Sequence, residues 1–314
     1  MSTVQDSLHA LVLRLTGHVS DELVARARCV LDVDGPSRAA AVIASGCAGA
    51  TLTERDLSVL AAAGASVPGA RIGPRPEPRW RFRPDSGTFD EPRIALLVVS
   101  LGEVDGAIGL WRAWRDAAVP VYLVAVRGGD PAAVAGRLSR ALLTSGDTTP
   151  RVEVLVEGER PPEYQRRALA AATLLWSARP VRPLSFARVY DGFDDAGVPR
   201  LDPARPRLDA ERTAFLLDRL RAGHPLLTTA LTEPDVLQPD SGSVVPLGLR
   251  TDGVWIWSEA VTHYVERHRV APEPGLLRHL EAAEPVRALD SVSIYHALAA
   301  LGRFRPEPMT EGRA

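Results

Sequence analysis

The sequence predicts a mixed α/β protein in three parts: an amino-terminal helical bundle, a central Rossmann-like parallel sheet of three βα units, and a carboxy-terminal α+β region with hairpins. Three patterns support this prediction. In the amino-terminal region, apolar residues recur at helical spacing. In the central region, continuous apolar runs alternate with helical segments, and in the carboxy-terminal region pairs of predicted strands flank turn residues. We expect these boundaries: bundle 1–66, linker 67–92, βα domain 93–180, α+β region 181–305 and frayed tail 306–314.

The first 66 residues predict four short helices. Ser20 is placed to cap the second helix, and Pro36 suits the first position of the third. Thr53, followed by Asp56 three residues later, is typical of the start of a helix. These local signals agree with the apolar spacing, so we expect a small bundle.

The linker is rich in proline and arginine. Arg79 and Arg81 alternate with Trp80 and Phe82, a pattern able to contact a partner through cations and aromatic faces. A formal net charge of -2 and nearby acidic residues disfavour nucleic acid, so we predict a protein partner. The alternative is that the aromatic rings pack against a neighbouring part of the chain.

The middle of the chain predicts three buried parallel strands, each followed by a helix. The expected strand and helix pairs are Ile94–Ser100 with 106–117, Val121–Val126 with a helix that begins at Asp130-Pro131, and Val152–Val156 with Pro162–Ser177.

Acidic residues follow each predicted strand, where ligands bind in open α/β sheets. They are Glu103, Asp105, Asp130, Glu157 and Glu159. One hypothesis is therefore a crevice for a small polar ligand, with or without a divalent cation. The other is that Asp105 and Asp130 cap helices and the remaining charges are solvated.

The carboxy-terminal region predicts two hairpins, Phe186–Tyr190 with Val198–Leu201 and Val244–Arg250 with Val254–Trp257. Strand alternation places Trp255 and Trp257 on one face. That face either packs beneath the following helix, which Ser258 caps, or is a docking surface for a partner.

The run RTDGVWIWSEAVTHYVERHRVAPEPGLLRHL resembles a carboxy-terminal module of uncharacterised proteins from high-GC bacteria. It covers about a tenth of the chain, and the resemblance implies no activity and no functional residue.

The sequence lacks the motifs of several catalytic and metal-binding mechanisms. All 37 basic residues are arginine, which excludes every lysine-dependent mechanism. Cys29 and Cys47 match no zinc pattern and are expected to be buried thiols. His263 and His268 lie five apart on a predicted helix, and we expect them to point to different faces.

The acidic loop of Asp191, Asp194 and Asp195 does not fit an EF-hand and predicts a hairpin turn instead. We therefore predict no catalytic residue, no metal ligand and no cofactor.

The functional prediction is a non-catalytic, protein-binding adaptor, regulatory or immunity-type protein. The alternative is an enzyme or sensor that uses the crevice acids. No signal peptide and no bilayer-length apolar run are evident, so we expect a cytoplasmic protein that is not inserted in a membrane.

Overall fold

The computed structural model describes residues 3–76, 79–84, 91–116, 118–282 and 288–303. The chain divides into two compact units, residues 1–179 and 180–314. The expected bundle and βα region both fall in the first unit. The expected tail, 306–314, lies outside the described residues. None of the described helices combines the length and hydrophobicity needed to cross a bilayer.

The first unit combines seven helices with a mixed sheet and a two-stranded parallel pair in its described residues. Its elements are α1 (Val4–Leu15), α2 (Asp21–Val33), α3 (Pro36–Gly46), β1 (Thr51–Leu52), α4 (Glu54–Ala62), β2 (Arg71–Ile72), β3 (Phe82–Arg83), α5 (Glu91–Gly102), β4 (Ala107–Arg115), β5 (Val119–Val126), α6 (Pro131–Thr144), β6 (Val152–Val156), α7 (Glu163–Ala170) and β7 (Thr173–Ser177).

The four amino-terminal helices are confirmed, together with their predicted caps. Ser20 accepts a hydrogen bond from the Leu23 amide, and Thr53 forms a capping box with Asp56. Their apolar faces meet in one core that includes Leu8, Leu11, Leu31, Ile43, Leu52 and Leu60.

The sheet of this unit is mixed, with β4 at its centre. Strand β4 runs antiparallel to β5 on one side and to β7 and β3 on the other. Strands β5 and β6 are parallel and are joined through α6. This is one βα crossover, and the expected series of three is not seen among the described residues.

Two elements of the predicted βα series have the opposite secondary structure. Residues Ile94–Ser100, expected as a strand, lie in α5, where Leu97 is buried and Val99 is 68% exposed. Residues 106–116, expected as a helix, contain β4, and residue 117 lies outside the described residues. A short apolar run has no period of its own. Strand β4 is buried along most of its length, with strands paired along both edges and helices α5 and α7 packed against it.

The predicted helix Pro162–Ser177 is wrong in its second half. Helix α7 ends at Ala170, and Thr173–Ser177 forms β7, which pairs with β4. The alanine-rich stripe has high helix propensity. The backbone N–H and C=O groups on the edge of β4 need hydrogen-bond partners, however, and β7 supplies them.

The predicted linker supplies two very short strands. Ile72 pairs in parallel with Leu52, and Phe82 pairs with Arg115 of β4. Residues 77–78 and 85–90 of this segment lie outside the described residues.

One face of the sheet carries a buried ion pair. Arg28 of α2 donates from Nη2 to Glu153 Oε2 of β6 at 2.6 Å, and both side chains are 1% exposed. Gln165 of α7 donates to the same carboxylate oxygen at 2.8 Å. This network joins the amino-terminal helices to the sheet.

Helix α1 contacts the edge of β6 through His9. His9 Nε2 lies 2.9 Å from the Val154 carbonyl oxygen, so the neutral ring donates to a strand group that no other strand of the described residues pairs. This bond occupies one backbone acceptor that an edge strand would otherwise leave unpaired.

The second unit has four helices, one 3-10 turn and eight short strands in its described residues. Its elements are β8 (Ser185–Phe186), β9 (Gly192–Phe193), β10 (Pro199–Arg200), α8 (Ala210–Ala222), β11 (His224–Leu227), β12 (Thr232–Pro234), a 3-10 turn (Pro239–Ser241), β13 (Ser243–Pro246), β14 (Leu249–Thr251), β15 (Trp255–Ser258), α9 (Glu259–His268), α10 (Pro274–Ala282) and α11 (Ser291–Arg303).

The two predicted hairpins of this unit are partly correct. The turn at Asp194 joins β9 to β10. Phe186, which was expected to belong to this hairpin, pairs with Ile256 of β15. Strand β14 pairs with β15, as expected, whereas the Val244 segment forms β13 and pairs with β12. The strand order of the larger sheet is β11-β14-β15-β8.

Removing Arg28 is expected to destabilise the first unit strongly. Arg28→Ala leaves the Glu153 carboxylate buried without its cation, which costs about 3–5 kcal/mol. Arg166→Ala removes an exposed pair with Glu163, worth about 0–1 kcal/mol, and is the matched control. The loss of unfolding free energy in each variant is measured by urea unfolding, with hydrogen exchange in β6 as the readout. Equal effects of the two substitutions would contradict the role given to Arg28.

The stability of the first unit is expected to fall as the pH drops below about 6.5. Burial lowers the pKa of His9, and this effect outweighs the opposing hydrogen bond to Val154 and the charge of Glu153. The unfolded chain then binds a proton that the folded protein does not. His9→Gln keeps a donor for the Val154 carbonyl, and its unfolding free energy should depend less on pH between 7 and 5.5. An unchanged pH dependence would refute this assignment.

Candidate functional site

Three metal-ligating side chains converge in the second unit. Asp235 directly follows β12, His263 lies within α9, and His268 is the last residue of that helix. One ligand atom from each lies within 4.8 Å of the other two. This group, defined as the Asp–His cluster, brings together residues 28 and 33 positions apart in sequence.

Both histidines meet the same carboxylate oxygen. His263 Nε2 lies 2.9 Å from Asp235 Oδ2, and His268 Nε2 lies 2.6 Å from it. The side chains of Asp235, His263 and His268 are 3%, 10% and 15% exposed. The cluster is therefore largely shielded, with its histidine edges nearest to solvent.

The prediction that His263 and His268 point to different faces is wrong, because both rings contact Asp235. Five residues separate their directions by about 140° on a regular helix. The helix ends at His268, however, and Arg269 adopts a left-handed conformation with φ 55°. The Tyr264 ring lies 5.3 Å from His263 and 5.9 Å from His268, the two histidine rings are 6.0 Å apart, and Asp235 bridges them.

The Asp235 carboxylate is held in its charged form. Burial alone would raise its pKa, but hydrogen bonds from His263 and His268 outweigh burial and lower the pKa of Asp235 to about 2. The Leu237 amide also donates to Oδ1 at 2.9 Å. The carboxylate is thus negative and oriented at neutral pH.

Two tyrosines and one further acid border the cluster. The Tyr190 hydroxyl donates to Glu233 Oε1, and the Tyr190 ring meets the Tyr264 ring edge-on at 6.0 Å. The Val236 amide donates to the Tyr264 hydroxyl at 3.3 Å. Burial raises the pKa of both Tyr190 and Tyr264, so both phenols keep their protons at neutral pH.

The donor set fits a borderline transition-metal ion. Imidazole nitrogen and carboxylate oxygen bind zinc at about 2.0–2.2 Å, which places tetrahedral ligand atoms roughly 3.3 Å apart. The observed contacts of 2.6 and 2.9 Å are hydrogen-bond lengths, in which a ring N–H occupies the position that an ion would take. An ion in place of the ring protons would need the His263 contact to lengthen by about 0.4 Å and the His268 contact by about 0.7 Å.

The predicted crevice acids occupy different surroundings from those of the Asp–His cluster. Asp130 caps α6 through the amides of Ala132 and Ala133, as the capping alternative expected. Glu103 is exposed and 3.7 Å from exposed Arg137. Asp105 and Glu159 are exposed, and Glu157 is half-buried. Asp105 precedes β4 and therefore caps no helix.

The aromatic residues of the predicted linker are packed within the first unit. Trp80 Nε1 donates to the Gly17 carbonyl at 3.0 Å, and the Arg115 guanidinium lies 4.3 Å from the Trp80 ring. Phe82 meets Tyr164 edge-on at 5.1 Å. Arg79 and Arg81 remain exposed.

The tryptophan hairpin belongs to the core of the second unit. Trp257 is 1% exposed and packs with Leu216 and Leu220 of α8 and Val261 of α9. Trp255 is half-buried beside His279, whose Nε2 lies 2.5 Å from Asp252 Oδ2. Little of the predicted docking face is accessible.

Two acids of the predicted loop, Asp191 and Asp194, make local contacts. Asp194 accepts from the Ala196 and Val198 amides, which confirms the hairpin turn, and Asp191 pairs with Arg205. Both cysteines are free thiols. Burial raises the pKa of Cys47 to about 11, so its thiol is protonated at neutral pH.

Comparison with protein-family models, with curated proteins and with solved structures gives no match, and the resemblance of the carboxy-terminal run therefore stays a prediction.

Proposed function

We propose that the second unit binds one divalent transition-metal ion through Asp235, His263 and His268. The observation that carries the proposal is the convergence of three ligand atoms within 4.8 Å, one from the residue after β12 and two from α9. Two imidazoles with one carboxylate favour Zn²⁺ or Fe²⁺ over Ca²⁺ or Mg²⁺, which prefer oxygen ligands.

A site with three protein ligands leaves at least one coordination position for water or an external ligand. The partial exposure of His263 and His268 places that position toward the accessible side of the cluster. This proposal replaces the sequence-based expectation of no metal ligand. It also moves the proposed ligand site away from the crevice acids.

The adaptor hypothesis stays a prediction. Trp80, Phe82 and Trp257 make intramolecular contacts, so they give it little support. Exposed Arg79 and Arg81 are the part of the predicted partner surface that remains accessible. A cytoplasmic location is likewise proposed, and the two free cysteines support it because a reducing compartment keeps thiols unpaired.

Metal addition is expected to stabilise the second unit. A ligand present at about 100 times its Kd raises the free energy of unfolding by about 2.7 kcal/mol. The experiment uses full-length protein, stripped with a chelator and free of any histidine tag, with Zn²⁺ or Co²⁺ added. Hydrogen exchange in α9 reports the second unit, and elemental analysis gives the stoichiometry, expected to be one ion per chain.

The variants for this test are Asp235→Asn and His263→Gln, both expected to abolish the stabilisation. His224→Gln changes a half-buried histidine of β11 outside the cluster and serves as the matched control. The proposal fails if stripped wild-type protein binds no ion, or if Asp235→Asn binds as tightly as wild type.

A further inference from the structure

Glu233 lies two residues before Asp235 and is linked to the Asp–His cluster through Tyr190 and Tyr264. Thr232 and Pro234 are exposed, Glu233 is half-buried and Asp235 is buried. Glu233 is not a member of the group whose ligand atoms lie within 4.8 Å. Its carboxylate is therefore a neighbour of the cluster and not one of its ligands.

Tyr190 fixes the position of Glu233. Its hydroxyl donates to Glu233 Oε1, while its ring packs edge-on against Tyr264 at 6.0 Å. Tyr264 in turn contacts the rings of both histidines. A continuous set of contacts thus connects the Glu233 carboxylate to the ligand side chains.

A divalent ion would compensate the charges of both carboxylates. Glu233 is two residues from Asp235 and reaches Tyr264 through Tyr190. Within the described residues, no arginine forms an ion pair with Glu233 or Asp235. One dication with two carboxylates and two neutral imidazoles gives a net charge of zero.

We propose that Glu233, oriented by Tyr190, is a positioning residue of the metal centre that supplies the second negative charge without coordinating the ion. This inference rests on the proposed metal site and names a residue that sets its affinity. Residues around a metal centre that act through the ligands change metal affinity by about 10- to 100-fold when they are substituted.

The test is a Co²⁺ titration of the full-length, tag-free protein, followed by visible absorption. Glu233→Gln keeps an acceptor for the Tyr190 hydroxyl but removes the charge, and should weaken Co²⁺ binding about 10- to 100-fold. Tyr190→Phe keeps the charge but frees the carboxylate, and should weaken binding less. Bound Co²⁺ should show the same band positions in both variants because its ligands are unchanged.

Glu266→Gln is the matched control, because Glu266 lies on α9 but pairs with Arg221 in solvent, with a side chain 49% exposed. It should bind Co²⁺ as wild type does, and circular dichroism verifies that each variant folds. Wild-type affinity in Glu233→Gln would overturn the inference, and so would shifted band positions, which mark a direct ligand. Failure of wild type to bind Co²⁺ would instead overturn the metal site itself.

Discussion

A charge removed from water must be compensated within the protein, and this constraint determines the interior of both units. In the first unit, Glu153 lies on a buried strand and is neutralised by Arg28, which draws α2 onto the sheet. In the second unit, Asp235 is nearly as buried, yet its partners are two histidines. An arginine is always charged, so Arg28 cannot exchange a proton for a metal ion. Imidazoles can exchange a proton for a metal ion, and this difference makes the second cluster a candidate site.

Local signals in the sequence identified the helices best. Ser20, Thr53 and Ser258 cap helices through bonds to amides two or three residues away, and such short-range chemistry can be read from adjacent letters. The strands of the first unit were harder to assign. Strand β4 is stabilised by pairing with strands on both of its edges, which the local sequence does not show. The apolar run Ile94–Ser100 has no periodicity that would distinguish a helix from a strand.

The candidate site was missed for a related reason. The fold brings Asp235 to His263 and His268 across about thirty residues, and their spacing matches no metal motif. A regular helix would also turn the two histidines apart, whereas the helix end at Arg269 and the length of the imidazole arms allow both to reach one oxygen. The signal that remained in the sequence was two histidines near the end of one amphipathic helix, a pattern too common to identify a site alone.

X-ray absorption spectroscopy of the zinc-loaded protein addresses the central claim most directly, since it reports the atoms bound to the ion. The account predicts two imidazole nitrogens at about 2.0–2.1 Å and carboxylate oxygen at a similar distance. A first coordination sphere made only of oxygen, without the outer scattering of imidazole rings, would contradict it.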